Sequence, residues 1–139
     1  MTLSRESSAT STPSAQPCSG SVSDQRLARV VVFGRMPPES AFAELERRTG
    51  LCVGRVDVYS DWVDVDRICA HAWDLVLQSH LIDGDEPMVV FVPALNVLAA
   101  FVSAALALHR GDAPTWLAHY RLKAEQLDLL DLSCLRRRF

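Results

Sequence analysis

Short runs of apolar, mostly β-branched residues alternate with helical patterns along this chain. Residues 30–33 and 88–92 contain no polar side chain, and Gly34 and Pro93 follow the two runs. Runs of this kind are typical of strands that are buried on both faces of a parallel sheet. Elsewhere, apolar residues recur three and four positions apart, as on one face of a helix. A chain with this alternation is predicted to form an α/β fold.

Eight elements are predicted, in the order β-α-β-α-β-α-β-β. The strands are expected at residues 29–33, 52–59, 88–92, 116–122 and 127–135, and the helices at 38–49, 65–80 and 94–110. Strands separated by helices imply right-handed crossovers, so we expect a single open, mainly parallel, Rossmann-like sheet with helices on both faces. The last strand follows a short turn and is expected to be antiparallel. In residues 52–59, Val56 and Val58 alternate with Arg55, Asp57 and Tyr59, which predicts that one face of this strand is wetter.

The first 25 residues differ in composition from the rest of the chain. Residues 2–24 contain eight serines and three threonines and almost no large apolar side chain. Such a segment buries too little surface to offset the entropy that it loses on ordering. We therefore predict a disordered tail at residues 1–25 and one domain at residues 26–139.

The charge balance and the cysteines narrow the range of functions. Fourteen Lys and Arg residues against seventeen Asp and Glu residues give a formal net charge of −3, which argues against binding to duplex nucleic acid. Cys18, Cys52, Cys69 and Cys134 form no CxxC pair and have no histidine at ligand spacing, so we expect neither a metal site nor a cofactor. Cys69 and Cys134 fall at positions typical of a core. Reduced thiols in a cytoplasmic protein are the simplest interpretation.

Residues 88–108 leave a membrane-spanning segment open as an alternative. They are 21 residues without a charge, which is long enough to cross a bilayer. However, Pro93 divides them into a β-branched part and a part rich in Ala and Leu, and the other predicted strands need residues 88–92 as a neighbour. We therefore expect no membrane insertion. The N-terminus also lacks the apolar core of a secretory signal.

Candidate binding residues follow the ends of the predicted strands. In an open parallel sheet, ligands bind beyond the carboxyl ends of the strands, where helix N-termini present free amide groups. No GxGxxG and no P-loop motif is present, which argues against the common dinucleotide and phosphate sites. Gly34 permits close approach to the backbone, and Arg35 brings a forked donor suited to phosphate. The candidate ligand-binding residues are Gly34, Arg35, Met36, Ser60, Trp62, Pro93, Ala94, Asn96 and Lys123.

Two of these candidates have an alternative structural role. Trp62 either stacks on a base or covers the edge of the core. Asn96 either donates to a ligand or bonds the end of its own helix, as Asn often does.

Catalytic residues cannot be assigned from the sequence. The four histidines, at positions 71, 80, 109 and 119, fall on elements that do not converge on one sheet edge. Asp57, Asp61, Asp64 and Asp66 straddle a loop and a helix cap, so we expect a solvated acidic loop rather than a metal site.

The segment Val31-Val32-Phe33-Gly34-Arg35-Met36-Pro37-Pro38 resembles the opening of small CRISPR-associated Rossmann-fold proteins found beside type III systems. Three later stretches fit the same layout: a helix ending in Thr49-Gly50, the strand Val56-Asp57-Val58, and a strand, proline and apolar helix running from Val89 to His109. The resemblance covers about residues 29–135. The family's loop after the third strand often contains small residues or glycine, whereas Pro93-Ala94-Leu95-Asn96 has no glycine.

This resemblance implies a homodimer that binds a cyclic oligoadenylate second messenger with its strand-end loops. The expected ring is cyclic tetra-adenylate, and its phosphates would lie near Gly34 and Arg35 and near the helix start at residues 94–96. Binding would lower the messenger's level in antiviral defence, either by sequestration or by cleavage as a metal-independent ring nuclease that uses the ribose 2′-hydroxyl. Ligand-dependent assembly beyond the dimer is compatible with this interpretation.

The apolar helix at residues 94–108 favours a homodimer independently of the resemblance, because one sheet face cannot cover a helix that is apolar nearly all round. Two alternatives remain. One is a non-catalytic dimeric interaction module without a nucleotide ligand, and the other is a membrane-tethered protein.

Overall fold

Six strands form one sheet in the computed structural model, which describes residues 3–4, 26–110 and 112–138. The strands are β1 (Leu3–Ser4), β2 (Arg26–Phe33), β3 (Leu51–Tyr59), β4 (Met88–Phe91), β5 (Thr115–Arg121) and β6 (Gln126–Asp131). The helices are α1 (Glu39–Thr49), α2 (Ile68–Gln78), α3 (Asn96–His109) and α4 (Ser133–Arg138), and a 3₁₀ turn at Val65–Arg67 precedes α2.

The strand order across the sheet is β1-β3-β2-β4-β5-β6. Strands β3, β2, β4 and β5 are parallel, whereas β1 and β6 pair antiparallel at the two edges. The predicted α/β fold with an open, mainly parallel sheet is therefore confirmed.

The two central strands are the most buried part of the molecule. Every residue of β2 from Ala28 onward and every residue of β4 is buried. Val30 lies opposite Val56 of β3 on one side and Val89 of β4 on the other. Because both strands have neighbours on each side and helices on each face, their buried sequences are apolar. Arg29 is the exception, and its charge is paired with Asp57.

Helices cover both faces of the sheet. On one face, Phe42 and Leu45 of α1 pack on Val30, Val56 and Val89. On the other face of the sheet, side chains of α2 and α3 pack on the same strands. The buried helix residues of this second core are Val76, Val102, Ala105 and Leu106.

Two predicted helix boundaries are confirmed by their caps. Gly50 ends α1 with φ +77° and donates its amide to the carbonyl of Glu46. This is the left-handed position that favours glycine. Asp64 precedes the 3₁₀ turn, and its side chain accepts a hydrogen bond from the amide of Asp66 at 3.1 Å.

Three segments differ from the sequence-based expectation. Helix α3 begins at Asn96 rather than at residue 94, because Leu95 is still extended, with φ −73° and ψ 121°. The last strand ends at Asp131 rather than at residue 135, since the Asp131 carboxylate accepts the amide of Ser133 at 2.9 Å and starts α4. In the predicted tail, Leu3 pairs with Val58 at the edge of β3. The tail residues 1–2 and 5–25 lie outside the described residues.

The prediction of a wetter face on β3 is wrong. Asp57 is 4% exposed and Tyr59 9% exposed, because Arg29 of β2 is buried against both of them. Arg29 donates from Nε to Asp57 at 2.9 Å and from Nη2 to the Tyr59 hydroxyl at 3.0 Å. Of the residues that suggested water, Asp57 and Tyr59 are thus bonded to a buried arginine, and Arg55 alone is exposed.

The expectations for the cysteines also need correction. Cys52 is disulfide-bonded, so the prediction of reduced thiols is wrong for this residue. Cys69 and Cys134 are exposed rather than buried, because they lie on the outward sides of α2 and α4.

Within the described ranges, no helix is long and apolar enough to cross a membrane. Residues 88–108, which raised that alternative, are divided between the four-residue strand β4 and the helix α3.

Candidate functional site

The strand order reverses between β2 and β4, which makes the carboxyl ends of these strands a topological switch point. From β2 the chain crosses to β3 on one side, whereas β4 lies on the other side of β2. Connections that leave in opposite directions open a crevice, and open α/β sheets bind ligands in such crevices. We call this place the switch-point crevice and define it by Gly34, Asp61 and Ala94, one residue from the loop after each of β2, β3 and β4.

Gly34 forms one wall of the crevice. Its amide donates to the carbonyl of Tyr59 at 2.9 Å, and its φ of +92° lies in the region that favours glycine. A Cβ atom at this position would lie 2.9 Å from Oδ2 of Asp61. The missing side chain is therefore what lets the Asp61 carboxylate approach the end of β2.

The same carboxylate reaches the third loop. The amide of Ala94 lies 3.5 Å from Oδ2 of Asp61, at the limit of a hydrogen bond. Asp61 is half-buried, while Ala94 is exposed. A single carboxylate thus lies between the two central loops, close to the start of α3.

Two of the helices that begin at this edge, α1 and α3, have no side-chain caps. Neither Pro38 before α1 nor Leu95 before α3 makes a side-chain cap hydrogen bond. Asn96 is exposed at the first position of α3, so the alternative in which it caps its own helix is not observed. Both helix N-termini therefore keep amide groups and a positive dipole end available at this edge.

Arg35 and Met36 follow Gly34 on the surface. Arg35 is exposed and Met36 is 44% exposed, whereas Pro37 next to them is buried. Pro93, on the loop after β4, is also buried. Buried prolines hold the two loops in place, so that Arg35 projects from a fixed backbone.

The loop after β3 presents Ser60 and Trp62. The Ser60 hydroxyl accepts the Trp62 amide at 3.1 Å, and Trp62 is 71% exposed. Its ring centroid lies 5.8 Å from that of His71, whose Nδ1 accepts the Asp64 amide at 3.1 Å. Trp62 therefore does not cover the edge of the core, and its exposed ring is available for stacking.

Lys123 lies farther from the crevice than the other candidates. It is exposed in the turn between β5 and β6, at the same edge of the sheet but beyond β5. Its neighbour Arg121 is bonded through Nε and Nη2 to Asp128. The structure thus brings the loops after β2, β3 and β4 together and leaves Lys123 outside the group.

The four aspartates of the acidic segment have different surroundings. Asp57 is bonded to Arg29 and Arg55, Asp64 caps the 3₁₀ turn, and Asp61 lies in the crevice. In the part of the chain that the structure describes, no group of three or more His, Cys, Asp or Glu side chains is placed to hold a metal ion. Sequence reasoning assigned Asp61 to a solvated loop and missed its position, although an acidic residue two positions after a parallel strand indicates this edge.

A second surface feature lies on the helices of the other face. We call it the α2–α3 face and define it by Trp73 and Leu77 on α2 and Val97 and Leu108 on α3. Their exposed fractions are 39%, 46%, 62% and 78%. The two helices touch through the rings of Trp73 and Phe101, whose centroids are 6.0 Å apart. Helix α3 carries no Asp, Glu, Lys or Arg, and α2 carries one exposed carboxylate, Asp74, next to Trp73, so this face is mainly apolar with one charge.

Comparisons with family models, with curated proteins and with solved structures give no match.

Proposed function

We propose that the switch-point crevice binds a small anionic nucleotide, and specifically a cyclic oligoadenylate such as cyclic tetra-adenylate. The observation that carries this proposal is the convergence of three strand-end loops beside two helix N-termini without side-chain caps. Phosphate groups bind at such N-termini because amide groups and the helix dipole favour negative charge there. At the start of α3 that negative charge is already supplied by Asp61, so the phosphate is assigned to the α1 side. The layout of residues 29–135, which resembles small CRISPR-associated Rossmann-fold proteins, supports an oligoadenylate as the nucleotide.

Arg35 is the proposed phosphate ligand. It is exposed, its backbone is held between Gly34 and the buried Pro37, and its guanidinium offers two parallel donors. This assignment keeps the expected phosphate position at Gly34 and Arg35. Close to residues 94–96, however, the Asp61 carboxylate would repel a second phosphate.

Asp61 suits a hydroxyl group of the ligand better than a phosphate. A carboxylate beside a nucleotide site commonly accepts hydrogen bonds from ribose hydroxyls. We therefore assign the ribose to the Asp61 side of the crevice and the phosphates to the Arg35 side. The exposed Trp62 ring is the proposed stacking surface for one base.

The assignment leaves two ways to lower the messenger's level. In sequestration, the ring is bound and stays intact. In cleavage, a ribose 2′-oxygen attacks the adjacent phosphorus, the bond from phosphorus to the 5′-oxygen breaks, and a 2′,3′-cyclic phosphate and a 5′-hydroxyl result. Asp61 is then the proposed acceptor of the 2′-hydroxyl proton, while water supplies a proton to the 5′-oxygen.

Titration calorimetry with cyclic tri-, tetra- and hexa-adenylate tests the proposal. A ring that lies across the dimer contacts Arg35 of both copies. Arg35→Ala then removes two charge-assisted contacts of about 1.5–3 kcal/mol each, so affinity should fall roughly 100-fold or more. Arg35→Lys should lie between the parent and Arg35→Ala, since it keeps the charge and loses the fork. Arg26→Ala, at the amino end of β2, is the matched control and should bind as the parent does. If the parent binds none of the three rings, the proposal is wrong.

Product analysis separates cleavage from sequestration. If the bound ring is cleaved, Asp61→Asn should stop product formation and still bind the ring. If the parent returns the ring unchanged after long incubation, sequestration is the function.

We also propose that the chain forms a homodimer through the α2–α3 face. Four exposed apolar side chains on a mainly apolar face with one charge match an isologous interface, because such a face repels its own copy little. The same observation supports the second candidate function, a dimeric interaction module without a nucleotide. This second function is favoured if none of the cyclic oligoadenylates binds.

Light scattering tests the homodimer. Leu108→Glu places a charge at the 78% exposed position of the face and should shift the mass from dimer to monomer. Leu130→Glu, on β6 with 53% exposure, is the control and should remain a dimer. A monomer mass for the parent over a wide concentration range would exclude this interface.

A further inference from the structure

A groove with a volume of about 390 Å³ lies between α1 and the hairpin of β5 and β6. None of its lining residues belongs to the switch-point crevice. The groove is lined by Glu44 and Arg48 of α1 and by Tyr120, Glu125 and Gln126 of the hairpin, among others. Its volume is within the range of sites that hold small organic ligands.

Two features hold the groove open. Arg48 spans the gap at one end, since its Nη1 donates to the carbonyl of Leu127 at 2.6 Å. Tyr120 is half-buried and packs against the core beneath α1. The helix is thus held at a fixed distance from the hairpin, and the space between them is bordered by an aromatic ring.

The turn of the hairpin brings a third element to the groove. Glu125 has φ +51°, a left-handed conformation that is uncommon for a residue other than Gly, Asn or Asp. Its amide donates to the carbonyl of Leu122 at 3.2 Å and closes the turn. Backbone strain of this kind persists where the surrounding structure requires it, and here it is found at a residue that lines the groove.

The polar groups of the groove favour a ligand that donates hydrogen bonds. Glu44 and Glu125 carry carboxylates, and Gln126 adds an amide oxygen. Arg48 is the cation among these residues; its Nη1 donates to the Leu127 carbonyl, and its Nε lies 3.9 Å from Oε2 of Glu44. With two carboxylates against one guanidinium, a phosphate is disfavoured and an amino group is favoured.

The Glu44 carboxylate also has a partner on the outer surface of α1. Arg47 donates to its Oε1 at 3.2 Å and to its Oε2 at 2.5 Å, with the Arg47 side chain 69% exposed. Exposed pairs of this kind contribute little to stability, so a ligand can displace the arginine or share the carboxylate with it. Each carboxylate oxygen also has more than one lone pair with which to accept a hydrogen bond.

We propose that this groove binds an amino-bearing heteroaromatic base of purine size, with its ring against Tyr120 and its amino group directed to the carboxylates. Stacking on tyrosine suits a flat ring, and the acceptors distinguish an amino group from a carbonyl at the same position. The proposal does not depend on the function of the switch-point crevice, because it requires no phosphate and none of the crevice residues.

Titration of the full chain with adenosine and inosine tests the proposal, followed by the backbone amide and aromatic NMR signals. The two nucleosides have the same size, but inosine carries a carbonyl where adenosine has its amino group. Adenosine should bind at least about tenfold more tightly than inosine, and Glu44→Gln should remove most of that difference. Glu86→Gln, in the loop before β4, is the matched control and should bind as the parent does.

Two further variants make the outcome decisive. Tyr120→Phe keeps the ring and should retain adenosine binding, while Tyr120→Leu should lose it. The amide signals of Glu125 and Gln126 should shift with adenosine, and Glu44→Gln should reduce these shifts without changing any shift of Gly34 or Ala94, which distinguishes the groove from the crevice. The proposal is overturned if the parent does not bind adenosine, if inosine binds equally well, or if Glu44→Gln binds adenosine as the parent does.

Discussion

Arginine residues differ in exposure between the two ends of the parallel strands, which we call the amino edge and the carboxyl edge of the sheet. At the amino edge, Arg29 and Arg110 are 5% and 4% exposed and are surrounded by hydrogen-bond acceptors. At the carboxyl edge, Arg35 is exposed beside Gly34 and two helix N-termini without side-chain caps. Polar groups that make their hydrogen bonds within the chain hold strands, helices and loops together. Polar groups that remain available at a strand end can instead bind a ligand.

The acceptors at the amino edge show what those two arginines do. Arg29 donates to the carbonyls of Ser79 and His80 at the end of α2, in addition to Asp57 and Tyr59. Arg110 donates to the hydroxyl of Thr115 and to the carbonyl of Gly84, at 3.1 Å each. Each guanidinium therefore joins loops and strand ends that are far apart in sequence.

The largest expected effect concerns Arg29. Arg29→Met removes the buried partner of Asp57, which stays paired with the exposed Arg55, and takes the same donor from the carbonyls of Ser79 and His80. It should lower the free energy of unfolding by about 3–5 kcal/mol, because removing one partner of a buried ion pair is strongly destabilising. Urea denaturation followed by circular dichroism measures it. The control is Arg55→Met, since Arg55 also contacts Asp57 at 3.0 Å but is 45% exposed and should cost less than about 1 kcal/mol. Equal losses for the two variants would contradict the comparison.

Arg110 is expected to have the next largest effect. Arg110→Met takes this donor from the carbonyls of Gly84 and Glu86 and from the buried hydroxyl of Thr115, and it should cost about 2–3 kcal/mol in the same assay. Arg121→Met removes an exposed pair with Asp128 and should cost less than about 1 kcal/mol. If Arg121→Met is the more destabilising variant, burial at the amino edge is not what stabilises the fold.

Gly34 also lies at the carboxyl edge, but its backbone has a positive φ that favours glycine. Gly34→Ala should cost about 1–3 kcal/mol, from the positive φ and from the approach of the new Cβ to Asp61. Gly50→Ala has a similar φ and open space around the Cβ, so it should cost less. The difference between the two melting temperatures reports the contact with Asp61, and no difference would mean that the carboxylate is not held there.

Arg35 should have the smallest effect on stability. Arg35→Ala is expected to change the free energy of unfolding by no more than about 0.5 kcal/mol, because an exposed side chain at a loop contributes little to packing. Thermal unfolding of the parent and the variant gives the answer. A loss comparable to that of Arg110→Met would show that Arg35 serves the fold rather than a ligand.

The central strands and the place of the crevice are predictable from sequence for a physical reason. A strand buried on both faces requires an unbroken apolar run, so residues 30–33 and 88–92 identify the middle of the sheet, and the loops that follow them must share one edge. Gly50 and Asp64 are predicted correctly as caps because their roles depend on nearby backbone alone.

The features that sequence reasoning missed depend on partners distant in the chain. The burial of Asp57 requires Arg29, which is 28 residues away, so the local alternation on β3 suggested water instead. The position of Asp61 depends on the positive φ of Gly34 and on the start of α3. The end of β6 depends on one side-chain cap, from Asp131 to Ser133, within a stretch whose alternation is also compatible with a strand.

The most direct test of the difference between the two edges is NMR mapping of the full chain during titration with cyclic tetra-adenylate. Binding at the carboxyl edge should shift the amide signals of Gly34, Asp61 and Ala94 and the indole signal of Trp62. The amide signals of Glu86 and Ala113, at the amino edge, should stay in place. Shifts confined to the amino edge, or no shifts at a concentration well above that of the protein, would contradict the assignment of ligand binding to the switch-point crevice.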